Sequence, residues 1–235
     1  MTQLRIQLYS DGANLDEMVA ASKSGQVKGL TTNPTLMRKA GISDYAAFAR
    51  AVLAQITELP ISFEVFADEF EEMERQARLL ASWGKNVYVK IPITNTKSES
   101  ATNLIHRLTR DGIKLNVTAI LTTHQVRAVA EVLNPEVPAI VSVFAGRIAD
   151  TGRDPVPIMQ ESLRLLSHLP KAELLWASPR ELLNVLQADE CGCHIITITP
   201  ELMKKLKLVG MSLEAMSLDT VTMFYRDASA AGYQL

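Results

Sequence analysis

The sequence is short of cysteine. Among 235 residues there are two, Cys191 and Cys193, one residue apart. Side chains in that alternation rarely form a strain-free disulfide, so no disulfide framework is expected and a reducing cytoplasm fits best. With His194 alongside, a metal at the pair is conceivable, but no second ligand cluster joins it and none is expected. An excess of either charge sign is missing too. The formal net charge is -2, without runs of like charge, which leaves neither a basic patch for nucleic acid nor an acidic disordered tail. The longest apolar stretches are strand-sized, so no membrane span is expected. Met1-Thr2-Gln3-Leu4-Arg5 leads straight into a strand and lacks the pattern of a signal peptide. No linker or low-complexity segment divides the chain. No Gly-x-Gly-x-x-Gly follows the first strand, which counts against a dinucleotide-binding sheet.

What is present is alternation. Apolar residues make up 47% of the chain, ample for a sizeable core. Short apolar, β-branched runs at 5–9, 29–32, 62–66, 87–91, 115–120, 139–144, 173–177 and 194–198 read as eight strands. Amphipathic helical patterns cover 44–57, 71–83, 100–109, 123–133, 157–168, 179–188 and 200–206. Gly84, Gly112 and Gly192 stand where helices should end, Ser43 and Thr123 are plausible N-caps, and Pro179 and Pro200 suit first helical positions. Eight strand–helix units at this length predict an α/β fold, a (β/α)8 TIM barrel in a single domain spanning 1–235. The segment 213–231 lies beyond the eighth unit and reads as an extra amphipathic helix. It either covers the barrel or packs on a neighbouring subunit.

Reactive groups of such a barrel gather at the C-terminal ends of its strands. The polar residues expected there are Asp11; Thr31, Thr32, Asn33 and Thr35; Glu64; Lys90; Asn116 with Thr118; Ser142 with Phe144 and then Arg147; Ser178 with Arg180; and Thr197 with Thr199. Several have ordinary structural readings. Asp11 could cap a helix, Asn33 before Pro34 could be a turn residue, and Thr118 and Ser142 could be small fillers bonded to backbone. Arg147 and Arg180 could be plain surface residues. Lys90, inside Val87-Tyr88-Val89-Lys90-Ile91-Pro92, could snorkel its ammonium to water. A buried ammonium is costly, however, and a lysine held neutral there is a nucleophile for a carbonyl. Glu64 is a carboxylate in an apolar strand, seldom buried without a partner or a task. Seven successive strands each bring a polar group to one face, and together they suit Schiff-base chemistry. Lys90 attacks, Glu64 and Thr118 supply an acid/base through a water, and Asp11 takes a hydroxyl proton at the bond that breaks. Arg147, Ser178 and Arg180 suit a phosphate or similar anion.

In these blocks the chain resembles the transaldolase family, in particular its short single-domain branch that includes fructose-6-phosphate aldolase. The carriers are Thr31-Thr32-Asn33-Pro34-Thr35, Val89-Lys90-Ile91-Pro92, Gly112-Ile113-Lys114-Leu115-Asn116-Val117-Thr118, Ser142-Val143-Phe144-Ala145-Gly146-Arg147 and Ala177-Ser178-Pro179-Arg180. The resemblance implies a Schiff base on Lys90, acid/base work by Asp11, and a water held by Glu64 and Thr118. It implies substrate contacts from Thr31, Asn33, Asn116, Ser142 and Phe144, and a terminal phosphate on Arg147, Ser178 and Arg180. It implies no metal, no organic cofactor and a homo-oligomer, typically a decamer, with the last helix crossing to a neighbour. Aldolases of the branch carry glutamine where this chain has Glu64 and tyrosine where it has Phe144, so group transfer is expected rather than simple cleavage. Val143 and Pro179 depart from the usual pattern. Pro179 can re-aim Arg180, which leaves a sulfonated sugar as an alternative to a phosphorylated one.

Overall fold

The computed structural model describes residues 4–235. Met1, Thr2 and Gln3, read above as the run-in to the first strand, lie outside the described residues. Eight parallel strands close on one another in sequence order: β1 (Gln7–Asp11), β2 (Gly29–Thr31), β3 (Ile61–Glu64), β4 (Val87–Pro92), β5 (Leu115–Ile120), β6 (Ala139–Val143), β7 (Ala172–Trp176) and β8 (Ile195–Ile198). Closure is made by β1 pairing with β8, Tyr9 lying opposite Thr197. This is the (β/α)8 barrel the alternation predicts.

Alternation along each strand sorts side chains into two populations. One set, including Leu30, Phe63, Val89, Val117, Val143 and Trp176, faces the helices and merges with Met18, Val52, Met73, Leu104, Val126 and Met159 into the main core. The other set fills the barrel itself. Tyr9, Ile140, Leu175 and Ile195 pack there as a separate apolar cluster, and the polar residues of the same inward phase lie toward the strands' C-terminal ends. The apolar plug keeps the barrel from being a pore and supports the polar layer.

The helices are α1 (Leu15–Lys23), α2 (Pro34–Lys39), α3 (Tyr45–Gln55), α4 (Phe70–Ala81), α5 (Thr102–Arg110), α6 (Thr123–Ala130), α7 (Ala145–Ala149), α8 (Val156–Leu166), α9 (Leu183–Glu190), α10 (Pro200–Lys204) and α11 (Leu213–Ala231). Gly112 and Gly192 follow α5 and α9 in the left-handed conformation, and Pro200 opens α10, as expected. Other expectations need correction. Asp44, not Ser43, caps α3. Thr122, not Thr123, caps α6, and with Gln125 it forms a capping box, a device contributing ~1 kcal/mol. Gly84 stands beyond the end of α4, whose C-cap is Ser82. Pro179 does not open a helix. Ser178 before it takes a φ of +58°, the backbone N–H of Arg180 is taken by Asn184 Oδ1 at 2.7 Å, and α9 starts later.

Three helices carry no expectation from sequence. In α1 only Met18 is buried, so its apolar stripe is faint; α2 and α7 are short insertions after β2 and β6. The extra C-terminal helix is present as α11, without one buried residue. Leu218, Phe224 and Tyr225 are 68%, 63% and 75% exposed. No helix among the described residues is long and apolar enough to cross a membrane.

Candidate active site

At the C-terminal mouth of the barrel lies a cavity of about 480 Å³, within the range of small-molecule sites. The twelve residues that the family resemblance implies all line it, as do Thr35 and Thr197, whereas Thr32 and Thr199 do not.

Lys90 sits at its base, 8% exposed. Strand register places it beside Glu64 on one side and Asn116 on the other. Its Nζ donates to the carbonyl of Thr32 at 2.9 Å and lies 3.6 Å from Glu64 Oε2. Snorkelling is therefore corrected: the amine is held inside the mouth, by a β2-end carbonyl and a carboxylate. Thr32 keeps its own hydroxyl buried without a partner among the described residues.

Glu64 ends β3, and Tyr45 of α3 pins it there. The Glu64 N–H donates to Tyr45 Oη at 2.9 Å, and that hydroxyl donates back to the Glu64 carbonyl at 3.3 Å. The Tyr45 ring meets Phe63 and Phe66 edge-on. Sequence periodicity marks Tyr45 only as a helix-stripe residue; its role at Glu64 comes from contact between segments 19 residues apart.

Asp11 is the last residue of β1 and does not cap a helix; Asn14 caps α1. Thr31 Oγ1 donates to Asp11 Oδ1 at 2.8 Å and lies 2.5 Å from Thr197 Oγ1. Burial pushes the Asp11 carboxyl above its ordinary pKa, against the opposing pull of the Lys90 charge and of the Thr31 hydrogen bond. A carboxylate so placed is a stronger base than one in water.

A second polar chain crosses β3, β5 and β6. Asn116 Nδ2 donates to Ser62 Oγ at 3.0 Å, and Ser142 Oγ donates to Asn116 Oδ1 at 2.6 Å, all three residues buried. Ser142 is thus bonded to a side chain, not to backbone. Thr118 follows Asn116 on the same face, just before a bulge in β5 where Ala119 takes a φ of +58°. Asn33 does two things: its Oδ1 caps α2 by accepting from Leu36 N at 3.0 Å, and its side chain lines the cavity.

The far wall is cationic. Arg147 and Arg180 are exposed in the lining, and the half-buried Phe144 and Ser178 line the cavity with them. Gly146 fixes their spacing, because a Cβ there would lie 1.5 Å from the Ser178 carbonyl oxygen. Arg180 pairs with Asp150 through Nε at 3.0 Å and through Nη2. Sequence reasoning missed Asp150, which reaches the site only through Arg180, and Lys39 and Leu36 of α2, which line the cavity. The residues that could hold a metal do not assemble: among the described residues no three His, Cys, Asp or Glu side chains converge.

An amine enclosed with two carboxylates, hydroxyl and amide groups at one end and guanidiniums at the other can bind a small polyhydroxylated anion and move protons beside it. Fold and mouth together define a TIM-barrel protein with a lysine-centred site. The sequence matches the model of the Transaldolase/Fructose-6-phosphate aldolase family over residues 8–234, and the chain belongs to that family. It is 34% identical to "Probable transaldolase" of Dehalococcoides mccartyi over 82% of this chain and 86% of that one. It is 35% identical to "Probable transaldolase 2" of Listeria monocytogenes, over 86% and 88%, and 31% identical to "Probable transaldolase" of Clostridium botulinum, over 96% and 98%. A crystal structure from Burkholderia cenocepacia J2315, of a protein named as a lyase/mutase, is alike in fold alone: the TM-score is 0.60 at 12% identity, covering 99% of this chain and 86% of that one.

Proposed function

We propose that the protein is a Schiff-base transaldolase. It moves a dihydroxyacetone unit from a ketose phosphate, such as fructose 6-phosphate or sedoheptulose 7-phosphate, to an aldose phosphate. The observation that carries this reading is the enclosure of the Lys90 amine at the barrel mouth, 3.6 Å from Glu64, in the cavity that Asp11 and both arginines also line. The Lys90 amine adds to the C2 carbonyl of the donor. Loss of water, with proton transfer by Glu64 through a water held with Thr118, gives the protonated imine. Asp11 takes the C4 hydroxyl proton, the C3–C4 bond breaks, its electron pair enters the imine as an enamine, and the aldose leaves. The enamine carbon attacks the aldehyde of the acceptor, Asp11 returns the proton, and water releases the product. Thr31 orients Asp11. Asn33, Asn116 and Ser142 bind hydroxyls, while Arg147, Ser178 and Arg180 bind the terminal phosphate. The same trio suits the sulfonate of 6-deoxy-6-sulfofructose. The amine supplies the activation, so neither metal nor organic cofactor has a task.

Transfer rather than cleavage rests on Phe144, which lines the cavity without a hydroxyl to protonate the enamine. The test is turnover of fructose 6-phosphate with and without erythrose 4-phosphate. Transfer requires that free dihydroxyacetone stay absent without the acceptor, and that Phe144→Tyr release it about 10²-fold faster, the usual worth of a placed acid. Rapid release by the unaltered protein makes it an aldolase instead. The same reading places the protein in the cytoplasm as a homo-oligomer, decameric by family resemblance, with α11 laid on a neighbouring copy. The exposed Leu218, Val221 and Phe224 support that. A monomeric mass in solution contradicts it.

A further inference from the structure

Arg180 reaches the cavity with one side of its guanidinium already occupied. Nε donates to Asp150 Oδ1 at 3.0 Å and Nη2 donates to Asp150 Oδ2. A guanidinium is a rigid planar fork with five N–H bonds. The carboxylate covers the side-on face, so the end-on pair, Nη1 and the second hydrogen of Nη2, is left for another anion. Asp150 is the C-cap of α7, the helix that also carries Arg147, and its backbone N–H donates to Gly146 O at 3.0 Å. Both cations and the carboxylate are therefore tied to one short helix and to the Ser178 segment that rests on Gly146.

The Asp150 and Arg180 side chains are each 47% exposed, and a pair that wet adds little to stability. Its consequence is the charge of the rim. Hydrogen bonds from Arg180 hold the Asp150 carboxyl below the usual carboxylate range, and Arg147 acts in the same direction, so the carboxylate is ionised at neutral pH. Asp150 thereby offsets one of the two guanidinium charges at a rim that the Lys39 ammonium also lines.

We propose that Asp150 is a specificity-determining residue of the anion site: by occupying the side-on face of Arg180 and offsetting its charge, it lowers the site's preference for doubly charged over singly charged end groups. The inference rests on the transaldolase reading. Transfer needs one anionic aldose to leave and another to enter while the three-carbon unit stays on Lys90. A rim with both guanidiniums uncompensated, beside Lys39, would hold a dianion against that exchange.

The test compares the unaltered enzyme, Asp150→Asn and Asp150→Glu at pH 8, where a phosphate monoester is a dianion and a sulfonate a monoanion. Asp150→Asn should lower KM for fructose 6-phosphate about tenfold, the scale of one rim charge, and leave KM for 6-deoxy-6-sulfofructose within about threefold. Asp150→Glu should keep the original ratio. Equal shifts for both donors, or none, overturn the inference. Calorimetric titration with inorganic phosphate and with methanesulfonate reads the same differential without turnover. If Lys90 forms no adduct with either ketose, the transaldolase reading fails. The inference about Asp150 still fails separately if Asp150→Asn does not tighten phosphate relative to methanesulfonate.

Discussion

The hydroxyl of Thr31 donates a 2.8 Å hydrogen bond to Asp11 Oδ1, with the Thr197 hydroxyl 2.5 Å behind it. Three strands thereby meet at the carboxylate that lies above the Tyr9 plug. The hydrogen bond favours the ionised form of Asp11, while burial disfavours it. Thr31→Val removes the donor and keeps the shape, so the Asp11 pKa rises further. The acid limb of kcat/KM against pH should move to higher pH, and kcat/KM at neutral pH should fall about 10- to 100-fold, the worth of a hydrogen bond to a charged group. An unmoved acid limb assigns that ionisation to another residue.

Asp11 also makes stability and activity oppose one another. Its folded-state pKa is raised, so the stability it contributes is present below the unfolded carboxylate pKa and is lost as pH rises through the folded one. At neutral pH the ionised carboxylate is a net cost. Asp11→Asn should therefore raise the melting temperature at pH 7, with the gain shrinking toward pH 4, and should lower turnover by about 10²- to 10⁴-fold. A lower melting temperature at pH 7 would mean that attraction to Lys90 outweighs burial.

Gly146 is where the anion site depends on backbone. A Cβ there would overlap the Ser178 carbonyl oxygen, so Gly146→Ala must displace the segment that carries Ser178 and Arg180. Overpacking of this kind costs ~1–3 kcal/mol. The expected kinetic result is a KM for fructose 6-phosphate raised tenfold or more, with kcat changed far less, because Lys90 and Asp11 stand on other strands. A fall confined to kcat would contradict the assignment of this wall to the terminal anion.

The strands were legible because, buried on both faces, they read as short continuous apolar, β-branched runs, as in Ile195-Ile196-Thr197-Ile198. Where β1 begins was not. Arg5 and Ile6 look like strand residues, but their backbone N–H groups donate to Asp189 Oδ1 at 2.7 and 2.8 Å, so the strand starts at Gln7 and Asp11 becomes its last residue. The twelve site residues could be found because barrel geometry sends strand-end residues to one mouth. Tyr45 and Asp150 could not. Each acts through a partner remote in sequence, Asp150 through Arg180 thirty residues on, and helix position alone announces no such pairing.

The central claim is that the Lys90 amine forms the covalent bond to the donor. The direct measurement is borohydride reduction in the presence of fructose 6-phosphate, followed by peptide mass spectrometry, with Lys90→Met alongside. That variant should be inactive yet keep the melting transition of a folded barrel, since Met retains the length of the stem. The account predicts one reduced adduct, on Lys90, absent from Lys90→Met. An adduct on another lysine, or none with any ketose phosphate or sulfonate, contradicts it.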